Sequence, residues 1–525
     1  MDQGTGDTET QDNEEERGTS DEQIPSTSAD VTQGRQKIIF WTFLEHKGPF
    51  FEPPYKRLPG HIKLKYNKEV VELSEKAEEL AGLYAKKLHR PCVTQPEFNK
   101  NFFAEWRAVM TPKEQQLIKD LYKCDFKKIQ AHYTGSKKSN KKIKQKQEKE
   151  IKNTYGRCII INMGNERIEP IKNYKMEPQD LFCSNGSLMG RLKKRVTPED
   201  VTINCSANSE IPEPPPGHNW KEVVHDNTVS WLGSWKCNIT DTCKYITLDS
   251  RSKSKQETDR KKYEIARKLH KYITKIRTQY RRDWQAENLL DRQRGVALYL
   301  IDNFGFRAGN EKEPGGADTV GCCSLKVKHI RLSKYNKVVF DFEGKASVRY
   351  NNEVTVEESV YRNLSKFLEN KENENDLFDK LSTSTLNKYL RNQMTGLSAK
   401  VIRTYLASVT FENRLKEMTY AGNVYNDFYV EDMVKLFKKT LMEVAKLLNH
   451  KKTKKKRKNT SSTRDSTDNT IYNTRSSLCN YIDPRIVVTW CERHNIPIDE
   501  VYTDALRDQF SWAIQEAGPN FLFCW

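Results

Sequence analysis

Several things are scarce in this 525-residue sequence, and each scarcity narrows what it can be. No apolar run approaches the roughly 18 residues that a membrane-crossing helix needs, so no such span is expected. The twelve cysteines include no CxxC pair. Cys322 and Cys323 are adjacent, which suits neither a simple bridge nor a zinc site. All twelve therefore read as reduced thiols of the cytosol or nucleus. Acid also fails to balance base once the start of the chain is set aside. Residues 1–30 hold ten acidic residues and one basic one, so they carry −9 of a total of +18 and leave +27 for the rest. Such an acidic start is neither a signal peptide nor an Arg-rich transit peptide.

What is present is a strongly basic body, 89 Lys and Arg against 71 Asp and Glu overall. That balance points to a polyanionic partner, nucleic acid ahead of anionic membrane. The plainer alternative is a well-solvated surface, since 30% charged residues is only somewhat above the usual share.

Taken in order, residues 1–35 are polar and acidic and lack the large apolar residues a core requires, so they are expected to be disordered. Order is expected from I-I-F-W-T-F-L-E-H-K-G-P, residues 38–49. Residues 50–135 mix Pro-rich turns with short helical patterns such as 100–107. The lysine-rich run 137–152 is either an exposed helix over a duplex or a solvated face. From 155 to 250, short apolar runs between Pro, Gly and Asn predict strands. We read 36–250 as one mixed α/β lobe.

At 258 the period changes. Thr258 is a candidate cap, with Ile265, Leu269, Tyr272, Ile276 and Tyr280 following at helical spacing. Residues 338–350 alternate on both sides of E-G-K, which predicts a β-hairpin with Lys345 at its turn. Residues 251–450 thus form a second, mostly helical domain. A polar linker spans 451–475 and opens on K-K-T-K-K-K-R-K. The last segment, 476–525, is too short to fold alone and is expected to dock on the second domain. It carries N-Y-I-D-P-R-I, residues 480–486, and a final helix from about Thr503 with Leu506, Phe510 and Ala513 on one face.

Several segments together resemble the eukaryotic type IB DNA topoisomerases. They are F-R-A-G-N-E-K-E at 306–313, F-D-F-E-G-K at 340–345, G-L-S-A-K-V-I-R-T-Y at 396–405, L-N-H at 448–450, and the Tyr481 segment. W-T-F-L-E-H-K-G-P near the start and A-D-T-V-G-C-C-S-L at 317–325 are similar to the same family. Each segment alone is weak or moderate support; their joint occurrence in family order is what carries the resemblance.

The resemblance implies an α+β multidomain protein whose mixed α/β cap lobe and mostly helical catalytic lobe clamp duplex DNA, with a small helical C-terminal domain carrying the tyrosine. It implies a catalytic set of Tyr481 as nucleophile, Arg307, Arg403 and His450 as stabilisers of the transition state, and Lys345 as general acid. The residue types suit the chemistry. A pentacoordinate phosphorus gathers negative charge, which two permanently charged guanidiniums and an imidazole can meet. Attack by Tyr481 leaves a 3′-phosphotyrosine and a 5′-hydroxyl, and the leaving oxygen needs the proton Lys345 can give. The group that removes the tyrosine proton is left unassigned. DNA contacts implied by the resemblance are Arg107, Trp231, Lys244, Tyr245, Lys262, Arg307, Ala308, Gly309, Asn310, Glu311, Lys312, Thr319, Lys345, Ser398, Ala399, Lys400 and Asn480. No metal, ATP or other cofactor is implied; the expected partner is double-stranded DNA, the expected state a monomer, and the expected compartment the nucleus.

The sequence departs from the family pattern in four places. The family's N-terminal tail is long and lysine-rich, whereas this one is short and acidic. The long coiled-coil pair that joins the family's core to its tyrosine domain is replaced by the short polar 451–475 segment. Two loops that resemble the clamp's closing lips, 181–190 and 310–318, are shorter than the family's; the first lacks R-G-R-G and the second has Pro314. Ala346 follows Lys345 where the family has Asp. Two rivals stay open: a tyrosine recombinase, which uses a similar Arg-Lys-Arg-His-Tyr set, and a DNA-binding paralogue that has lost turnover.

Overall fold

A computed structural model describes residues 39–135, 141–162, 164–184, 186–309, 319–421, 430–451 and 471–524. The acidic tail 1–35, most of the 451–475 segment, and Asn310, Glu311 and Lys312 lie outside the described residues.

Apolar side chains gather into three cores. The first lies between two small sheets. One is antiparallel, with Arg157–Asn162 between Phe43–His46 and Asn165–Pro170. The other runs Glu222–Val224, Thr202–Asn204, Gly233–Lys236 and Cys243–Ile246, with the first pair parallel. Trp41, Leu44, Ile160, Ile203, Leu232 and Trp235 fill the space they enclose. The second core belongs to the helices Glu75–Lys87 and Pro96–Val109. Phe98, Phe102 and Trp106 recur every four residues, so they share one helix face, and all three are fully buried. The lysine-rich run contains a helix, Lys141–Tyr155, whose residues 145–150 are all exposed.

The third core is the largest and contains the candidate site. Its spine is the 31-residue helix Lys253–Asp283. Ser252, not Thr258, caps it: the Ser252 hydroxyl accepts from Lys255 N, while Thr258 Oγ1 sits inside the helix and donates to Ser254 O. Its buried stripe is Tyr263, Ala266, Leu269, Ile273, Ile276 and Tyr280. Tyr272, placed on that stripe by spacing alone, is 42% exposed, because the true stripe runs through Ile273 one position on. Glu169 closes the N-terminus of this helix from the neighbouring sheet. Its carboxylate is buried and accepts from Lys253 N at 2.9 Å and Ser254 N at 3.3 Å, a placement the helix dipole favours.

The hairpin is present as two eight-residue strands, Lys337–Gly344 and Val348–Thr355, joined by the turn Lys345–Ser347. Residues 478–523 share the third core with residues 263–448: Leu478, Ile482, Ile486, Trp490, Phe510 and Phe523 are buried in it. The C-terminal stretch holds two short helices, Asp504–Gln509 and Ser511–Glu516, rather than one. Leu506, Phe510 and Ala513 are buried across that break.

Candidate active site

Tyr481 terminates the helix Thr474–Asn480 and precedes the helix Pro484–Arg493. Two capping interactions fix the short link between them. Asp483, fully buried, caps the second helix by accepting from Arg485 N, and Pro484 occupies its first position, where a missing N–H loses nothing. Ser408 Oγ then bridges the link, donating to Tyr481 O at 3.1 Å and accepting from Asp483 N at 3.0 Å. The tyrosine backbone is therefore held by side chains that sequence reasoning did not single out.

The phenol meets Arg403. On the helix Ala399–Ala421, Arg403 is only 3% exposed, and its guanidinium fork is filled by uncharged acceptors. Nε donates to Gly305 O at 2.9 Å, Nη2 to Leu448 O at 3.3 Å, and Nη1 to Tyr481 Oη at 2.8 Å. Gly305 can offer that carbonyl because it ends the helix Leu289–Phe304 in the left-handed conformation, φ +62°, and a Cβ there would lie 3.0 Å from Leu447 O.

His450 lies beside both. Its ring centroid is 5.1 Å from that of Tyr481, and Nδ1 pairs with Ser477 Oγ at 2.7 Å. Among the described residues, Nε2 is buried with no hydrogen-bond partner. Burial, reinforced by the charges of Arg403 and Arg307, lowers the His450 pKa to about 2, so the ring is neutral near pH 7. The backbone ties it to the tyrosine segment: Asn473 N donates to His450 O, and Lys451 forms a β-bridge with Tyr472.

Arg307 follows the Gly305 turn and is half-buried. Asp302, the obvious acid to neutralise it, is instead claimed by Arg277 at 2.8 and 2.9 Å and by Tyr280 Oη at 3.0 Å. Arg307 makes no side-chain hydrogen bond or ion pair with another described residue. Its backbone is held by the turn Cys322–Ser324, with Cys322 N donating to Arg307 O at 2.7 Å and Cys323 N to Ala308 O at 2.8 Å. Gly309 and Gly321 cross so closely that a Cβ on Gly321 would lie 2.3 Å from the Gly309 backbone. Phe306 fills the hairpin face formed by Phe340, Phe342 and Tyr350, at ring separations of 5.1, 5.6 and 4.9 Å. Arg307 and the hairpin that bears Lys345 are thus parts of one packed unit.

The phenol responds to this gathering of charge. Burial alone would raise the Tyr481 pKa, but Arg403, Arg307, Lys400 and Lys345 together lower it below the ordinary value of 10. All four basic side chains are therefore felt at one oxygen.

The remaining predicted contacts fall into distinct settings. Lys400 is exposed one turn before Arg403, Ser398 Oγ accepts from Val401 N, and Ala399 N donates to Asn387 Oδ1. Lys262 pairs with Asp259 at 3.2 Å and lies over the Tyr263 ring; burial lowers its pKa, and Lys400 adds to that. Asn480 is exposed and bonds Ser476 O. Thr319 is half-buried, just outside the undescribed 310–318 stretch. On the first sheet system, the Trp231 and Tyr245 rings lie 5.9 Å apart, and Lys244 is engaged by Glu177 at 2.8 Å. Arg107 donates to Gln115 O and Ile118 O, so its guanidinium also holds the short helix Pro112–Leu117.

Comparison with known proteins matches three families, the last two overlapping over 451–480, which together span nearly the whole described chain. These are the eukaryotic DNA topoisomerase I DNA-binding fragment over 39–248, its catalytic core over 251–480, and a C-terminal topoisomerase domain over 451–523. The chain is 43% identical to human DNA topoisomerase 1, with 92% of this chain and 72% of the relative aligned. It is 40% identical to the Drosophila melanogaster DNA topoisomerase 1, over 92% and 55%. It is 39% identical to the human DNA topoisomerase I, mitochondrial, over 92% of each. The chain belongs to the eukaryotic DNA topoisomerase I family. It is an isomerase of that family, and DNA is its partner.

Proposed function

We propose that the protein relaxes supercoiled DNA of either sign by cutting one strand, letting it rotate and resealing it. Tyr481 attacks phosphorus. Arg403, already donating to the phenol oxygen, steadies the phenolate and then a non-bridging oxygen. Arg307, uncommitted among the described residues, takes the other oxygen bidentately. Neutral His450 turns its unpartnered Nε2–H to the phosphoryl group. Lys345 protonates the 5′-leaving oxygen from the hairpin tip. The bond energy stays in the 3′-phosphotyrosine, so resealing needs neither ATP nor metal. The single observation that carries this reading is the 2.8 Å contact of Arg403 with Tyr481 beside the orphaned His450 nitrogen.

A clamp formed by the two lobes, action as a monomer, and residence in the nucleus complete the proposal; the lysine-rich runs 137–152 and 451–458 suit nuclear import and DNA phosphates alike. Plasmid relaxation in EDTA without ATP tests the activity. Wild type is expected to relax both signs of supercoil, and Tyr481→Phe to bind DNA yet form no covalent adduct on denaturant trapping. Adducts at wild-type level in that variant would remove Tyr481 from its role. Resolution of Holliday junctions in place of relaxation would favour a recombinase, and binding without turnover a silent paralogue.

A further inference from the structure

Two of the twelve thiols meet. Cys92 lies in the short turn Pro91–Thr94 that leads into the helix Pro96–Val109, and Cys183 opens the loop after the strand Asp180–Leu181. Their Sγ atoms are 3.3 Å apart, with Cys92 S–H donating to Cys183. Both are half-buried, so small solutes reach them, and both pack against the Trp106 core. Cys158 and Cys491, which have no such partner thiol among the described residues, are pushed up to about 12 by burial.

The surroundings hold the pair in place. Asn101 Nδ2 on the same helix donates to Ser187 O and Met189 O, both at 2.8 Å, which rests the Cys183 loop on the helix that Cys92 precedes. Gly190 N closes the loop onto Phe182 O at 2.8 Å. Asn99 Nδ2 donates to Val93 O at 2.9 Å and fixes the Cys92 turn. Closing 3.3 Å to the ~2.05 Å of a disulfide therefore asks for a shift of only about an ångström in side chains on a firm base.

We propose that Cys92 and Cys183 form an oxidisable dithiol site whose oxidant is a small peroxide. Cys183 is the attacking sulfur. The thiol of Cys92 supports its thiolate by hydrogen bonding, which outweighs burial, and Lys87 adds to the effect, so that its pKa falls to about 7. The thiolate, its proton released to solvent, attacks one peroxide oxygen and becomes a sulfenic acid; the O–O bond breaks, and the hydroxide that leaves takes a proton back from solvent as water. The Cys92 sulfur then attacks that sulfur, the S–S bond forms, and a second water leaves with the Cys92 proton. Two thiols lose two electrons and the peroxide gains them. The bond would tie the 181–190 loop to the start of the Pro96–Val109 helix.

The test uses the full chain with limiting hydrogen peroxide, followed by intact mass, peptide mapping and dimedone capture of sulfenic acid. Wild type is expected to lose two hydrogens and to yield a peptide linking Cys92 to Cys183, with little dimedone adduct. Cys92→Ser should lose the linked peptide and accumulate the adduct on Cys183; Cys183→Ser should show neither. Cys243→Ser, which removes an exposed thiol elsewhere, should still form the link. Dimedone adduct on Cys183 in wild type equal to that in Cys92→Ser would overturn the proposal. So would oxidation of other thiols while the pair stays reduced.

Discussion

Arg403 Nη1 and Tyr481 Oη lie 2.8 Å apart, and both groups are buried. A guanidinium this deeply desolvated is tolerable because two carbonyls and the phenol fill its fork. The same contact lowers the phenol pKa, which makes Tyr481, the proposed nucleophile, easier to ionise. Arg403→Gln should therefore raise that pKa, shift the single-turnover cleavage profile to higher pH, and slow cleavage by about 10²–10³-fold at neutral pH. An unshifted profile would mean that Arg403 does not set the charge on Tyr481.

Ser477 is four residues before Tyr481, on the same face of its helix, and reaches His450 Nδ1 at 2.7 Å. If its hydroxyl donates, Nδ1 is the acceptor and Nε2 carries the proton, the form needed to bond a phosphoryl oxygen. Ser477→Ala should slow cleavage and resealing together, with Ser477→Thr restoring them. Histidine nitrogen shifts in NMR should show the Nε2–H tautomer in wild type and in Ser477→Thr, and a mixture in Ser477→Ala. The same tautomer in all three would free Ser477 of this role.

Motif order made the basic set and the tyrosine legible in the sequence, and alternation made the Lys345 hairpin legible. The groups that hold them were not. Gly305 and Leu448 act through carbonyls, which any residue could supply. Ser408 bridges from 73 positions away in the chain, so no local pattern marks it. Ser477 did leave a signal, the i−4 spacing from Tyr481 on a helix. The long helix was misplaced by six residues at its start because Ser252 and Thr258 are both competent caps, and Glu169 from the sheet, which accepts from Lys253 N, supports the earlier one.

The buried His46 gives a stability prediction remote from the proposed catalytic set. Gly48 N donates to its Nδ1 and Nε2 faces Asn204 O, so the ring is held neutral with Nε2–H donating. Burial lowers its pKa to about 4. The unfolded chain, with an ordinary value near 6.5, takes up the proton first. Stability from this group is thus complete above about pH 6.5 and falls toward pH 4, with about 2 kcal/mol gone at pH 5. Urea unfolding at pH 7 and pH 5 should show that loss in wild type and a correspondingly smaller one in His46→Gln. Equal losses would place the proton uptake elsewhere.

The +27 carried outside the first thirty residues should make phosphate contacts the main source of DNA affinity. Relaxation should be processive at low salt, then distributive, then fail, because each released counterion steepens the dependence on salt. Rates measured from about 50 to 300 mM salt should fall by orders of magnitude. A flat profile would contradict a phosphate-dominated interface.

Camptothecin-type inhibitors trap the cleaved complex of this family by stacking at the nick, in a pocket framed by an Arg of the R-G-R-G loop, the Asp after the catalytic Lys and the Asn before the catalytic Tyr. In this chain Asn480 is kept and exposed, but Ala346 stands at the Asp position and the loop reads C-S-N-G from Cys183. Losing one member of a partly buried Arg–Asp pair would strand the other at a cost of roughly 3–5 kcal/mol. Losing both avoids that penalty, so the fold tolerates the double change. It also removes two charge-assisted partners for the drug, each worth about 1.5–3 kcal/mol. Since about 1.4 kcal/mol is already tenfold, trapping should need at least about tenfold more drug than in a relative with both residues. A drug titration of trapped complexes, run side by side, measures this. Ala346→Asp alone should not restore sensitivity, because the introduced carboxylate lacks its arginine. Equal half-maximal doses for the two enzymes would show that these positions do not frame the pocket in this protein.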